Sequence, residues 1–183
     1  MPKMSVRVLD DDDWARYREI RLAALQDAPD AFLSSFEQEQ QYDEARWRSE
    51  VRDRRPLVAE RAERLIGVAT LRATDGEPDA ADVAGLWVVP EVRHTGVAMR
   101  LIEFAAAMAA EEGATKLYYW VGSENGSAIG FALNAGFRAT SQRRTAPVRH
   151  PEFGDQEIAL VLSLAGDPAA VPNASERSLR RAG

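Results

Sequence analysis

Residues 83–98 read Val83-Ala84-Gly85-Leu86-Trp87-Val88-Val89-Pro90-Glu91-Val92-Arg93-His94-Thr95-Gly96-Val97-Ala98. The near-continuous apolar run over 83–89, stopped by Pro90, has the pattern of a strand covered on both faces, which needs no polar side. From Gly96 to Glu112 the apolar residues Val97, Leu101, Phe104, Ala105 and Met108 recur with helical period, and Gly113 stands where a left-handed cap ends a helix. The loop between them therefore opens a helix. Its unpaired N–H groups and the positive end of the helix dipole suit an anion, and Gly96 lets the main chain approach without an intervening side chain. A pyrophosphate answers that description. No Gly-Lys-Ser/Thr follows, as a nucleoside-triphosphate loop requires, and the three glycines of a dinucleotide fingerprint are missing.

Downstream, Leu117–Val121 is a second buried strand. Strand, helix and strand then form a right-handed crossover with parallel strands, and a site belongs at the carboxyl end of the first. Asn125 caps a helix through Asn134 that ends at Gly136, a strand begins at Phe137, and Glu157–Leu164 supplies the last strand. Upstream, a strand over Val6–Leu9 leads through the acidic run Asp10–Asp13 into a helix over Asp12–Asp27 with Trp14, Tyr17, Ile20 and Ala24 on one stripe. A second helix covers Asp43–Arg54. Two strands, Leu57–Glu60 and Leu65–Arg72, turn near Ala62-Glu63, and a polar loop spans Thr74–Ala81. Ala31–Glu37 holds two aromatics without a period and reads as a packed loop walling a pocket. The expected architecture is a mixed α/β sheet of six or seven strands with about four helices, one domain over residues 1–164, followed by a disordered tail over 165–183.

With 183 residues, 45% hydrophobic and 28% charged, the chain is the size of one domain with a sizeable core. A net charge of −6 argues against non-specific nucleic-acid binding. The absence of cysteine removes disulfides, thiolate metal sites and a covalent thiol nucleophile, so any acyl transfer would need another route. No stretch approaches the roughly 18 apolar residues of a bilayer span, and Met1–Asp13 lacks a cationic region followed by an apolar one, so no membrane association and a cytoplasmic location are expected. His94 and His150 stand apart from carboxylates at ligand spacing, and Asp10–Asp13 lacks the glycine turn of a calcium loop, so no metal is expected.

The loop and its surroundings resemble the GNAT superfamily of N-acetyltransferases. The family's Arg/Gln-x-x-Gly-x-Gly/Ala pattern matches Arg93, Gly96 and Ala98, and its preceding Val-x-Pro matches Val88 and Pro90. Its downstream Asn-x-x-Ala-Ile…Gly-Phe matches Asn125, Ala128, Ile129, Gly136 and Phe137. Weaker similarity over Arg21–Leu25 and Phe32–Glu39 extends the resemblance to residues 5–164. It implies a GNAT-like acyl-CoA N-acyltransferase fold, acetyl-CoA as the acetyl donor, and a small-molecule or peptide amine as the acceptor; a homodimer is common in such folds. It also implies that the backbone of Trp87, Val88 and Val89 pairs with the pantetheine arm as an added strand. Arg93, His94, Thr95, Gly96, Val97 and Ala98 would cradle the pyrophosphate, with Asn125 near the pantetheine or sulfur end. An N–H of Val88 or Val89 would polarise the thioester carbonyl.

Many family members carry a Tyr, just after the position of Phe131, that protonates the departing thiolate; this chain has Ala132. Tyr118 or Tyr119 on the neighbouring strand, or an ordered water, is the substitute. An amine with a pKa of about 10 has to shed a proton, for which Asp82, Glu37, Glu39 and Glu124 are candidates, Asp82 lying closest to the family's acidic position on the central strand. Trp87, Tyr118, Tyr119 and Trp120 also read as core or pocket-wall aromatics. Ala132 leaves a second reading open, a non-catalytic acetyl-CoA-binding regulatory module, and a succinyl or propionyl donor is a third. The net negative charge favours a cationic acceptor such as a polyamine, an aminoglycoside or a lysine.

Overall fold

Alternating apolar runs form seven strands, β1 (Ser5–Val8), β2 (Pro56–Arg61), β3 (Arg64–Thr74), β4 (Glu77–Val88), β5 (Lys116–Gly122), β6 (Arg138–His150) and β7 (Gly154–Ser163). In the computed structural model, which describes residues 2–164, they make one sheet in the order β1-β2-β3-β4-β5-β7-β6. The β4–β5 pair is parallel and every other pair antiparallel. The helices are α1 (Trp14–Asp27), α2 (Phe36–Glu39), α3 (Glu44–Arg54), α4 (Val97–Glu111) and α5 (Gly126–Asn134). The mixed α/β architecture thus stands as expected, and the segment after Leu164 lies outside the described residues.

Local chemistry accounts for most boundaries. Asp10 and Asp13 form a reciprocal capping box at the 3-10 turn Asp11–Asp13 that leads into α1. Ala62 and Glu63 both take left-handed φ (51° and 63°), the geometry of a tight hairpin turn between β2 and β3. Two expectations need correction. The segment Thr74–Ala81 is mostly strand: Gly76 (φ 80°) turns the chain, and a register irregularity between Ala73 and Thr74 lets β4 begin at Glu77 despite Pro78. The expected loop Ala31–Glu37 ends in α2, one turn long, because Ser35 and Gln38 form a second capping box too short to show a period.

Each face of the sheet carries its own core. Leu101, Ile102 and Ala105 of α4 pack with Leu57, Leu71, Val83, Leu117 and Leu160 on one face, and α5 contributes Ala132 there. On the other face, Tyr17 and Leu25 of α1 and Trp47 of α3 pack with Val58, Val68 and Trp87. Among the described residues no helix is long and apolar enough to cross a membrane. The approach of α4 to the sheet depends on Gly67 in β3, where a Cβ would come within 2.9 Å of Val97 Cγ1, 3.0 Å of Leu101 Cδ1 and 3.4 Å of the Trp87 carbonyl oxygen. Gly67→Ala therefore overpacks this contact and should lower the unfolding free energy by about 1–3 kcal/mol in urea titration. Unchanged stability would mean that α4 has room to retreat.

Candidate active site

The parallel ladder between β4 and β5 runs from Ala80↔Lys116 to Val83↔Tyr119 and stops there, although both strands continue. β5 stays with β7 as far as Gly122↔Glu157. β4 stays with β3, but between Thr70↔Ala84 and Val68↔Trp87 it holds one residue more than its partner. Gly85, at φ 60°, sits in this bulge. An extra residue bends its strand and sharpens its twist, so β4 and β5 part beyond Val83.

Main-chain hydrogen bonding fixes what the gap presents. The Val89 N–H donates to the Ile66 carbonyl at 3.0 Å, which makes Gly67 and Val88 a facing pair without mutual hydrogen bonds. The N–H and C=O of Val88 consequently point away from β3, toward the gap. Trp87 and Val89, one residue to either side, turn their main-chain groups toward β3. Of the three residues expected to offer backbone groups, Val88 alone is oriented to do so, and the Val89 N–H is already engaged. Period-two alternation in the ladder was the signal that could have separated them.

After β4, Pro90–Val92 forms a 3-10 turn, Thr95 Oγ1 donates to the Val92 carbonyl at 2.6 Å, and Gly96 caps α4 with no side-chain hydrogen bond. His94 (φ 62°) and Gly96 (φ 92°) are both left-handed, a backbone conformation from which N–H concavities for anions are built. The first helical bond runs from the Arg100 N–H to the Gly96 carbonyl at 3.1 Å. Hence the N–H groups of Val97, Ala98 and Met99 lack an intrahelical acceptor. A Cβ on Gly96 would meet nothing within 4 Å, so glycine stands there for its φ, and the space above the helix end is open.

Arg93 points elsewhere than into that space. Its Nε donates to the Val88 carbonyl at 3.0 Å, and its Nη2 is paired with Asp27 at the end of α1. Asp27 also accepts from Trp87 Nε1 at 2.9 Å, and these two donors, Trp87 foremost, hold its carboxyl below the usual range. The loop after β4, β4 itself and α1 are thereby tied together.

A cavity of about 470 Å³ opens at the gap, within the usual range for small-molecule sites. Asp82, Tyr119, Trp120, Val121, Gly122, Asn125 and Ala128 line it from the strands and α5. Tyr17, Arg21, Phe32 and Leu33 line it from α1 and the following loop, the wall expected for Ala31–Glu37, and Ala146–Val148, His150 and Phe153 from the β6–β7 hairpin. Asn125 caps α5, accepting from the Ala128 N–H at 3.1 Å.

The expected proton-transfer residues separate clearly. Asp82 is buried at the cavity, accepts from Thr74 Oγ1 at 3.1 Å, and is pushed up from the usual carboxylate range chiefly by burial. Tyr118 is not brought there: it donates to Glu77 Oε2 at 3.1 Å, outside the lining. Tyr119 lines the cavity, tilts against the Phe137 ring at 6.1 Å, and burial pushes its hydroxyl up to about 12. Glu37 and Glu124 are exposed and away from the lining. Glu39 is buried in a two-bond pair with Arg21, both bonds 2.9 Å, and so serves α1–α2 packing. Ala132 is fully buried in the core under the sheet. Among the described residues no group of histidine and carboxylate side chains is placed to hold a metal.

A sheet with one parallel pair parted at its carboxyl end, facing an uncapped helix N-terminus, defines a class of coenzyme-using acyltransferase folds. Residues 18–137 match the family model of the GNAT acetyltransferases, more than half of the chain, and the chain belongs to that family. No curated protein matches the sequence. Among solved structures it is similar to yncA from Salmonella typhimurium, whose structure holds its cofactor acetyl-CoA (19% identity, TM-score 0.70, covering 94% of this chain and 99% of that one). It is also similar to the ribosomal-protein-alanine N-acetyltransferase of Brucella melitensis (18%, 0.65, 87% and 99%). A third is the paia N-acetyltransferase of Thermoplasma acidophilum in complex with coenzyme A (16%, 0.64, 88% and 99%). At such identities these likenesses speak for the fold.

Burial of Asp82 has a consequence for stability. Its folded pKa lies above the unfolded value, so the native state loses stability as pH rises through the interval between the two. Asp82→Asn removes that loss while an amide oxygen can still accept from Thr74. The variant should gain stability relative to the parent most at pH 8, with the gap closing as pH falls through the carboxylate range, read from urea midpoints. A gap that widens toward acid pH would reverse the assignment.

Proposed function

We propose that this chain binds acetyl-CoA and transfers its acetyl group to an amine by direct attack in a ternary complex. The observation that carries the reading is the position of the Val88 N–H and C=O. They face the β4–β5 gap, with the α4 N-terminus at one end and a cavity containing Asp82 and Tyr119 at the other. The donor set fits the coenzyme: the N–H groups of Gly96, Val97 and Ala98 and the dipole of α4 suit its diphosphate, and Val88 suits its amide-bearing arm. His94 and Thr95 shape that loop, and Asn125 stands near the sulfur end.

The coenzyme supplies an acetyl group activated as a thioester. Asp82, raised by burial, takes a proton from the acceptor ammonium, directly or through water. Tyr119 keeps its proton across the neutral range and can give it to the departing sulfur, the part that Ala132 cannot fill. The Val88 N–H is the available donor for charge on the carbonyl oxygen. A cytoplasmic location fits this chemistry. A different acyl donor would use the same main-chain groups.

Calorimetry should show coenzyme A and acetyl-CoA binding to the folded protein, weakened in Arg93→Glu, which opposes the diphosphate and repels Asp27. Thiol release with an amine panel then separates catalysis from the module reading motivated by Ala132. Tyr119→Phe should lower kcat by about 10- to 100-fold with the acetyl-CoA Kd little changed, the lower end of general-acid effects because a thiolate leaves readily. Tight coenzyme binding without turnover on any amine would favour the regulatory module.

A further inference from the structure

The cavity is lined by four permanent cations, Arg21, Arg54, Arg72 and Arg144. Three are paired with carboxylates of the chain itself, Arg54 sharing Glu50 with Arg46. Arg21 is gripped by Glu39, Arg54 Nε lies 2.5 Å from Glu50 Oε2, and Arg144 Nε lies 2.7 Å from Glu157 Oε2 while stacking over Trp120 at 4.2 Å. Arg72 makes no ion pair or side-chain hydrogen bond among the described residues. It stands directly opposite Asp82 across the antiparallel β3–β4 ladder. Residues so paired share a face, with Cβ atoms about 4.5–5.5 Å apart. Asp82 accepts from Thr74, with Trp120 and Arg144 also beside it, and its carboxyl and the Arg72 guanidinium lie side by side without an ion pair.

We infer that the acceptor is a free α-amino acid with an apolar side chain, its carboxylate held by Arg72 and its ammonium delivered to Asp82. An α-amino acid carries opposite charges on one carbon, which is the pattern this pair presents, and a guanidinium fork suits a carboxylate through two parallel hydrogen bonds. Much of the remaining wall is apolar, beside polar groups such as Asp30, Ser34, Thr70 and Gln156. Trp120, Phe32 and Phe153 line it, and Leu33 is 78% exposed at the rim, a large aliphatic group that the chain itself leaves uncovered. A polyamine or aminoglycoside, the acceptor that the net charge of −6 favours, would bring further positive charge against Arg72. Local charge outweighs net charge at this range because the overall field is screened within about 8 Å at physiological salt. A peptide N-terminus lacks a carboxylate on the reacting carbon. In the transfer, the acceptor nitrogen bonds to the acetyl carbon and the carbon–sulfur bond breaks. Of the two protons the nitrogen loses, one ends on the thiol and the other passes through Asp82 to solvent.

This inference rests on the acetyl-transfer reading, and its test separates the two. Thiol release is followed with L-phenylalanine and L-leucine against their amides and the decarboxylated amines phenethylamine and 3-methylbutylamine. The amino acids should show kcat/KM at least about 10-fold above both sets of analogues, carried by KM. Arg72→Gln, at an exposed rim position, should raise KM for the amino acids by about 10- to 100-fold with kcat little changed, collapsing the preference. Amides or plain amines used as well as the amino acids, or a preference that survives Arg72→Gln, would overturn the assignment. Should none of the six turn over, L-phenylalanine titrated into the coenzyme A-saturated protein decides: heat abolished by Arg72→Gln supports it, and no heat overturns it with coenzyme binding intact. Absence of coenzyme binding itself would defeat the acetyl-transfer reading beneath.

Discussion

A single extra residue in β4 governs this molecule. The bulge at Gly85 leaves four paired positions between β4 and β5 and then sends the strands apart, β4 with β3 and β5 with β7. A central parallel strand normally spends its polar main-chain groups on both neighbours, and unpaired ones within a sheet are costly. Here the groups of Val88 beyond the bulge have lost their strand partner: its carbonyl accepts from Arg93 Nε instead, and its N–H is left toward the gap. A ligand with amide groups of its own can take that place, which makes the gap a site and not a defect.

Around the gap, two electrostatic arrangements serve different ends. The α4 N-terminus offers main-chain N–H groups with no side-chain cap, while Arg93, the nearby cation, is held by Asp27 and the Val88 carbonyl. On the proposed reading cofactor affinity would rest on backbone geometry, with Arg93 bracing the loop against α1. Across the gap Arg21, Arg54 and Arg144 are matched internally, while Asp30, Asp82 and Arg72 make no ion pair among the described residues. Asp82 is raised because burial outweighs the hydrogen bond from Thr74, the nearby charges of Arg72 and Arg144, and Trp120.

Much of this was legible in the sequence because it depends on local patterns. The apolar run ending at Pro90, the helical period after Gly96 and the spacing of Asn125 to Phe137 fix strand, helix, strand and helix in order. The Thr74–Ala81 hairpin was misread because Gly76 and Pro78 look like loop residues until a register irregularity accommodates them. Which of Val88 and Val89 has a free N–H depends on the ladder with β3, and which tyrosine meets the cavity depends on the face of β5. Neither follows from composition. The pairing of Arg21 with Glu39 and of Arg144 with Glu157, 18 and 13 residues away on other elements, is likewise tertiary, whereas Arg54 and Glu50 form a local pair one turn apart in α3.

The claim underlying all of this is that the parted strands and the uncapped helix start act together as one docking track. Amide hydrogen exchange read by mass spectrometry, with and without acetyl-CoA, addresses it directly. Peptides spanning 84–89 and 94–99 should slow together on adding the coenzyme while those over β1 and β2 stay unchanged. Protection confined to one of the two segments, or absent from both at saturating coenzyme, would contradict the account.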